Sequence, residues 1–280
     1  MSAIDRLIEG SIDLHVHFGP DPERERRCDA VELAQRAQEM GMRGLVLKSH
    51  HYNTTPVAYT VASVVPGLEV MGGLCLNVAL GGLNALAVEA AARMGGKVIW
   101  MPTMTAAAFL KHLGQTGGVS VCDDNERLRP EMYTILETIK QYDLVLATGH
   151  ISPEECLILV QEARHLGLNR IIVTHASHLH SWYGMTVDQM KQLAKMGAVI
   201  EHCVHVMNPL GLRMEPRVLM EMVREVGAEH CVFSTDYGQA YSPIAPEGLR
   251  VGIAALLDQG LEEVEVGLMV KDNPARLLGL

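Results

Sequence analysis

Strand-like and helix-like segments alternate along almost all of the 280-residue chain, and this alternation restricts the possible folds more than any other feature. Short apolar runs rich in branched residues are each followed by a segment with the period of an amphipathic helix. Repeated strand–helix units predict a parallel sheet, either closed into a barrel or left open with helices on both faces. The eight predicted strands span 11–19, 43–48, 68–77, 97–101, 144–148, 170–174, 198–202 and 231–235.

Two observations favour the closed barrel over the open sheet. Eight strand–helix units in a chain of this length are typical of a (β/α)8 barrel, which commonly forms one domain. No G-x-G-x-x-G follows the first strand, which argues against an open dinucleotide-binding sheet. We therefore predict an α/β fold, a (β/α)8 TIM barrel, with residues 1–280 as a single domain. The predicted helices span 28–41, 55–65, 83–94, 106–113, 130–142, 153–166, 187–196, 216–226, 246–257 and 275–278.

Composition and charge restrict the kinds of molecule that the protein is expected to bind. A formal charge of −10 argues against nucleic acid, which normally binds a basic face. No signal-peptide pattern and no apolar run of membrane-spanning length occurs, so we expect no membrane contact and a cytoplasmic location. The six cysteines are scattered without a C-x-x-C pair and are interpreted as reduced, buried thiols, although Cys203 lies among histidines.

The placement of the 13 histidines is informative. In α/β barrels the active site lies at the C-terminal ends of the strands and in the loops that follow them. His112, His165 and His230 lie elsewhere and are interpreted as surface or packing residues. Histidine, lysine and aspartate side chains close five of the apolar strands at the same end: His15, His17, Lys48, His150, His175 and Asp236.

The first strand carries two of these histidines. Alternation along a strand directs Asp13, His15 and His17 to one face. Two neighbouring imidazoles suit a divalent metal, although a pair of hydrogen-bonded structural histidines has the same spacing. We interpret Asp13 as a residue that supports the ligands or the strand rather than as a ligand.

The complete pattern resembles the metal centre of the amidohydrolase superfamily. The resemblance rests on Asp-x-His-x-His at 13–17, on His150, His175 and Asp236, and on a closing helix at 273–279. It implies a metal-dependent hydrolase with one or two divalent ions, Zn²⁺ by preference, held by these histidines and Asp236. It also implies that Asp236 is the general base, that the metal lowers the pKa of a water, and that the protein is a homo-oligomer.

One departure from the superfamily concerns the ligand that bridges two metals. Many members use a carboxylated lysine or a glutamate from the fourth strand, which here ends in Trp100-Met101-Pro102-Thr103. Lys48, at the end of the second strand, is the substitute, and we prefer a carboxylated Lys48. Two alternatives remain open: a charged lysine that binds a substrate carboxylate, and a lysine that extends from the barrel rim into solvent.

Other polar residues at this end of the barrel are candidates for substrate contact. They are His50, His51, Asn77, His178, His180, Tyr183, Glu201, His202, His205, Arg213 and Tyr237. Of these we predict His51, His178, His202, His205 and Tyr237 as substrate ligands. The basic residues Arg24, Arg26 and Arg27 are interpreted as an exposed charge run rather than as an anion site.

The sequence favours a hydrolase that attacks an amide, a cyclic amide or a related carbonyl-centred bond in a small polar molecule. A phosphoesterase or lactonase on the same metal centre is one alternative. A deaminase or decarboxylase with a single metal is another, favoured if Lys48 is not a ligand. A barrel without catalytic activity that serves as a scaffold is a further alternative, but it would be expected to have lost ligands.

Overall fold

The computed structural model describes residues 2–280 and contains, within that range, nine strands and thirteen α-helices. The strands are β1 (Ile12–His17), β2 (Gly44–Lys48), β3 (Glu69–Met71), β4 (Gly73–Cys75), β5 (Val98–Trp100), β6 (Val145–Ala147), β7 (Ile171–Val173), β8 (Val199–Cys203) and β9 (Cys231–Ser234). The helices are α1 (Ala3–Ile8), α2 (Ala30–Glu39), α3 (Thr55–Val64), α4 (Ala85–Arg93), α5 (Ala107–His112), α6 (Pro130–Gln141), α7 (Pro153–His165), α8 (Ala176–Tyr183), α9 (Val187–Lys195), α10 (Pro216–Val226), α11 (Ala245–Asp258), α12 (Glu263–Gly267) and α13 (Asn273–Leu278).

The strands are parallel and are ordered as they occur in the chain. One sheet contains β1 to β3, and a second contains β4 to β9. Just beyond β9 the chain returns to β1: the His17 N–H donates to the Tyr237 carbonyl (2.7 Å), and the Asp236 N–H donates to the His15 carbonyl (2.8 Å). The strand order therefore closes on itself, and the predicted (β/α)8 barrel is confirmed.

The third predicted strand is divided into β3 and β4 at Gly72. A Cβ atom on Gly72 would lie 2.7 Å from backbone atoms of Thr54 and Thr55, at the start of α3. A Cβ atom on Gly73 would lie 2.0 Å from the carbonyl oxygen of Val98 in β5. Residues without a side chain allow this close approach of neighbouring backbones. Counted together, β3 and β4 make the third of eight barrel strands.

Two apolar cores support the barrel. The space between strands and helices holds the larger cluster, and the interior below the strand ends holds a smaller one. Members of the interior cluster include Ile12, Leu14, Val46, Trp100, Val199 and Val232. All six cysteines are free and buried, as predicted. None of the helices within 2–280 is both long enough and apolar enough to cross a membrane.

Most predicted helices are present with ends displaced by one or two residues. Ser152 and Thr186 are the N-caps of α7 and α9: each side chain accepts the N–H of the third helical residue, and the reciprocal bond completes a capping box. Helices α1, α8 and α12 were not predicted. Of these, α8 matters most for the site because it begins immediately after His175.

Candidate metal centre

The predicted ligands lie together at the C-terminal end of the barrel. His15 and His17 end β1, and Lys48 ends β2. Gly149, the residue directly before His150, is tightly packed and has φ +65°. A Cβ atom on Gly149 would lie 2.4 Å from the Met101 carbonyl oxygen, so a side chain would not fit there. The predicted ligands that follow strands are His150 after β6, His175 after β7 and Asp236 after β9.

The Asp236 carboxylate lies at the centre of the histidines. Its Oδ1 atom is 3.1 Å from Nε2 of His15 and 3.2 Å from Nε2 of His17. Its Oδ2 atom is 3.9 Å from Nε2 of His178 and 3.9 Å from Nδ1 of His205. One carboxylate therefore faces two separate pairs of imidazoles, one with each oxygen.

The strand that carries the first pair is not regular. The pairing of β1 with β2 shifts register between Asp13 and Val16, which is the mark of a β-bulge. Leu14 packs in the interior cluster, and its neighbour His15 also points to the barrel axis. The expectation that Asp13 shares a face with His15 and His17 by simple alternation is therefore wrong.

Asp13 supports the strand instead. Its Oδ1 accepts the N–H groups of His15 and Thr235, each at 3.1 Å, which ties β1 to the end of β9. Its Oδ2 has no hydrogen-bond partner within the described residues. Burial raises the pKa of this carboxyl to about 7. These contacts fit a supporting residue, as the sequence indicated.

Lys48 is enclosed at the base of the site. Its side chain is 1% exposed, so the alternative of a lysine extending into solvent is wrong. The Nζ atom lies 2.9 Å from Nε2 of His15 and 5.6 Å from the ring centroid of Trp100. No carboxylate of residues 2–280 lies within ion-pair distance of it. A carboxylated lysine and a lysine that binds a substrate anion both remain compatible with this position.

His150 and His175 form the opposite wall. Their ring centroids are 4.7 Å apart, and the Trp182 ring on α8 lies 5.3 Å from each. Phe109 lies 4.9 Å from His150, so aromatic side chains cover this wall. Several buried histidines have an Nδ1 atom without a hydrogen-bond partner in the described part of the chain: His17, His150, His175 and His178. Buried nitrogens of this kind normally have a partner, which a metal ion or an ordered water would supply.

Backbone conformation distinguishes two of the predicted ligands. His175 has φ +31° and Asp236 has φ +54°, both in the left-handed region that side chains other than glycine seldom adopt. Each is the second residue beyond the end of a strand, where the chain turns its side chain toward the barrel axis. Such outliers cluster at functional sites.

Glu201 is the residue whose importance the sequence understated, because it was named only as one of many loop candidates. It lies in β8, is 2% exposed, and its Oε2 lies 3.2 Å from Nδ1 of His15. The same oxygen accepts the N–H of His175 at 2.9 Å. Burial raises the pKa of Glu201, but the charge and hydrogen bond of His15 outweigh it, so the pKa falls below its usual value. This carboxylate fixes His15 and His175 together.

The predicted substrate ligands divide into two groups. His178 and His205 lie beside Asp236 with their ring nitrogens 3.2 Å apart, and the Tyr237 ring lies edge-on 6.2 Å from His205. His51 lies at the rim, with Nε2 3.9 Å from carboxylate oxygens of Asp21 and Glu23.

His202 is placed differently. It is fully buried one strand position after Glu201, and its Nδ1 bonds Ser177 Oγ at 2.6 Å between β8 and α8. This position is on the face of β8 that alternates away from the barrel axis. Its role as a substrate ligand stays a prediction. Its hydrogen bond is to Ser177, on the side of β8 away from Asp236.

Burial controls the charge of the imidazoles. It lowers the pKa of His17 and of His178 to about 3 and holds those of His150 and His175 well below their ordinary range. Burial and Lys48 also lower the pKa of His15, but the carboxylates of Asp236 and Glu201 outweigh them and raise it to about 8. Neutral imidazoles are the form that binds metal.

One part of the basic run after β1 differs from expectation. Arg26 is not an exposed charge: its side chain is 4% exposed and bonds Asp21, itself 3% exposed, through Nη2 at 2.5 Å. Arg24 and Arg27 are exposed, as expected. The Arg26–Asp21 pair fixes the loop that follows His17.

The donor atoms fit a divalent metal. In tetrahedral Zn²⁺ sites with bonds of about 2.0–2.1 Å, neighbouring donors lie about 3.3–3.4 Å apart. The distances from Asp236 Oδ1 to His15 and His17 are close to this value. Groups of donors within 4.8 Å of one another also include His15 with Glu201 and Cys203, and His178 with His205 and Asp236. We interpret the group formed by His15, His17 and Asp236 as the centre of the site.

Comparison with known proteins identifies the fold. Residues 10–201 match the model of a family of unknown function, DUF6282, and no curated protein sequence matches the chain. Among solved structures, an amidohydrolase from Pseudomonas aeruginosa is similar at a TM-score of 0.66 and 10% identity, with 98% of each chain covered. An organophosphorus hydrolase from Deinococcus radiodurans is similar at 0.59 and 15% identity, covering 99% of this chain and 94% of its own.

A mutant PTE-like lactonase from Deinococcus radiodurans is also similar, at a TM-score of 0.61 and 15% identity, with 100% of this chain and 98% of its own covered. At such identities the likeness concerns the fold, while chemistry depends on the site. The chain belongs to the family of unknown function DUF6282, and its fold is that of the amidohydrolase-like barrels.

Proposed function

We propose that this protein is a metal-dependent hydrolase that cleaves an amide, a cyclic amide or a related carbonyl-centred bond in a small polar molecule. The observation that carries the proposal is the Asp236 carboxylate, whose Oδ1 lies 3.1 and 3.2 Å from two buried imidazoles of β1. His15, His17, His150, His175 and Asp236 would hold the ion. We retain Zn²⁺ as the preferred metal.

A bound divalent ion would supply activation of water and polarisation of the substrate carbonyl. Asp236 is placed to handle the proton. His15 and His17 outweigh its burial and hold its pKa well below the usual range, so it is a carboxylate at neutral pH. The Asp236 side chain is 13% exposed, and its Oδ2 lies 3.9 Å from Nε2 of His178. It would accept the proton of the attacking water and pass it to the leaving group.

The surroundings of the cluster favour a polar substrate with an apolar part. His178 and His205 stand beside Oδ2 and can donate or accept hydrogen bonds as neutral imidazoles. Trp182 and Phe109 form an aromatic wall beside His150. A small cyclic amide or lactone, with polar edges and an apolar ring, suits surroundings of this kind. Phosphoesters remain the alternative electrophile for the same centre.

Metal content tests the proposal. Wild type, His150→Ala and His175→Ala, purified without chelators, are compared by elemental mass spectrometry and by hydrolysis of amides, cyclic amides, lactones and phosphoesters. His165→Ala is the matched control because His165 is 67% exposed on α7. We expect metal and hydrolysis in wild type and control, and loss of both in the other two variants with the circular dichroism spectrum retained.

Two results would contradict the proposal. A wild-type protein that binds no divalent metal after reconstitution would favour a scaffold without catalysis. Full hydrolytic activity in His150→Ala or His175→Ala would exclude that residue from the site. The cytoplasmic location and homo-oligomeric state stay predictions, and size-exclusion chromatography with light scattering measures the second.

A further inference from the structure

His50 lies among the predicted metal ligands but is not one of them. Its ring centroid is 4.7 Å from that of His17 and 5.9 Å from that of His150, so it adjoins both sides of the site. Its Nδ1 lies 2.8 Å from Oγ1 of Thr103, beyond the end of β5. Its Nε2 makes no hydrogen bond within residues 2–280, and it is not among the enclosed nitrogens that lack a partner. This nitrogen therefore reaches the open space of the site.

The supports of His50 are two buried residues, Asn77 and Thr103. Asn77 Oδ1 accepts the N–H groups of Thr103 at 2.9 Å and of Thr105 at 3.1 Å, so backbone donors set the orientation of the Asn77 amide. Asn77 Nδ2 then donates to Thr103 Oγ1 at 2.7 Å and to the His50 carbonyl at 3.0 Å. The Thr103 hydroxyl accepts from Asn77 and has one hydrogen left to donate.

The direction of that hydrogen bond decides which nitrogen of His50 carries hydrogen. A competing acceptor, Cys75 Sγ, also lies beside the Thr103 hydroxyl, but sulfur accepts hydrogen bonds more weakly than an imidazole nitrogen does. The hydroxyl hydrogen is therefore assigned to His50 Nδ1. A neutral imidazole that accepts at Nδ1 carries its own hydrogen on Nε2. Asn77 and Thr103 thus hold an N–H donor of His50 toward the open space of the site.

We propose that His50 is a further catalytic residue, which donates a hydrogen bond from Nε2 to the carbonyl oxygen of the substrate. The inference rests on the proposed function, in which water adds to a carbonyl beside Asp236. Negative charge then develops on the carbonyl oxygen, and a donor already held in position stabilises it. The His17 imidazole lies beside both groups, because its Nε2 is 3.2 Å from Asp236 Oδ1 and its ring contacts that of His50. Thr103 and Asn77 are positioning residues.

The tautomer of His50 is the first test, and it requires neither metal nor substrate. Protein labelled with ¹⁵N-histidine is studied metal-free by ¹H–¹⁵N NMR of the ring nitrogens, and the His50 signals are assigned by their absence in His50→Gln. We expect hydrogen on Nε2 and none on Nδ1 in wild type. Thr103→Val removes the hydroxyl and keeps the shape of the side chain, so we expect this single form to be lost there. Any other state of His50 in wild type would overturn the inference and leave the proposed function intact.

Steady-state kinetics with amides, cyclic amides and lactones test the catalytic role. We expect kcat to fall by about 100-fold or more in His50→Ala, with KM and metal content close to those of wild type. His50→Gln keeps an N–H donor and should lose less, whereas Thr103→Val should lower kcat although His50 itself is retained. His165→Ala is the control, because His165 is 67% exposed on α7.

Three outcomes would overturn the catalytic role. Wild-type kcat in His50→Ala would show that the donor does not act in the reaction, and loss of metal in that variant would identify His50 as a ligand. Both results leave the proposed function intact. A wild-type protein that hydrolyses none of these compounds would overturn the proposed function together with this role. If His50→Ala does not fold, Thr103→Val gives the same comparison of kcat, KM and metal content.

Discussion

Replacement of Glu201 by glutamine tests whether this buried carboxylate positions the ligands. Its single oxygen Oε2 serves both His15 Nδ1 and the His175 N–H. The amide oxygen of glutamine can occupy the same place and accept both bonds, so Glu201→Gln removes the negative charge and little else. The variant therefore isolates the electrostatic part of the interaction.

The expected magnitude follows from the two bonds. A hydrogen bond to a charged acceptor contributes roughly 1.5–3 kcal/mol, and a neutral one roughly 0.5–1.5 kcal/mol. A loss of about 1 kcal/mol at each bond amounts to about 2 kcal/mol, which is on the order of a 30-fold increase in the metal dissociation constant. Substitution of residues that orient metal ligands commonly costs about 10- to 100-fold in affinity.

The assay is competition for Zn²⁺ with a chromogenic chelator, together with urea unfolding of the metal-free protein. Glu225→Gln is the control, because Glu225 is 62% exposed and bonds Lys191 at the surface; we expect no change in metal affinity there. A Glu201→Gln dissociation constant within about threefold of wild type would refute the reasoning. Lower stability of the metal-free protein with unchanged metal affinity would show a purely structural role.

Three further substitutions examine single residues. Asp236→Asn should reduce turnover far more than metal affinity, and equal losses of both in steady-state kinetics and metal counting would contradict a role as general base. Burial raises the pKa of Asp13 from 3.8 to about 7, so its neutral form stabilises the fold below about pH 4, and this contribution is lost as pH rises toward 7. Asp13→Asn should therefore remove part of the pH dependence of urea unfolding of the metal-free protein, with an upper bound of about 4 kcal/mol; an unchanged profile would exclude this origin. Lys48→Met should release one metal ion if a carboxylated Lys48 is a ligand, whereas an unchanged ion count with weaker substrate binding would identify Lys48 as a substrate ligand.

The barrel could be predicted from the sequence because its signals are local. Each strand is an apolar run, and the helices carry their own start signals, such as Ser152 with its capping box. The helix α8 escaped prediction because Ala176–Tyr183 turns polar and aromatic side chains, His178 and Trp182 among them, toward the site. Its residues face histidines and an aromatic wall rather than an apolar core, so the usual period is absent.

The proximity of the predicted ligands could be foreseen for a different reason. In a barrel the ends of all strands meet at one face, so residues far apart in sequence, such as His15 and Asp236, become neighbours by topology alone. The bulge in β1 and the dual contact of Glu201 could not be foreseen in this way. Both depend on the register between strands and on one side chain's orientation, which alternation alone does not specify.

The backbone at His175 and Asp236 connects the fold to the chemistry. Five residues other than glycine in the described range 2–280 have a positive φ, and these two follow β7 and β9. Each such conformation costs on the order of 1–3 kcal/mol, which the surrounding structure must offset. The His175 N–H bond to Glu201 and the Asp236 N–H bond to the His15 carbonyl do so. A barrel that needed only to fold would be more stable with glycine at these turns. Under the proposed function the strain is retained because an imidazole and a carboxylate are needed at these turns as ligands of one metal site.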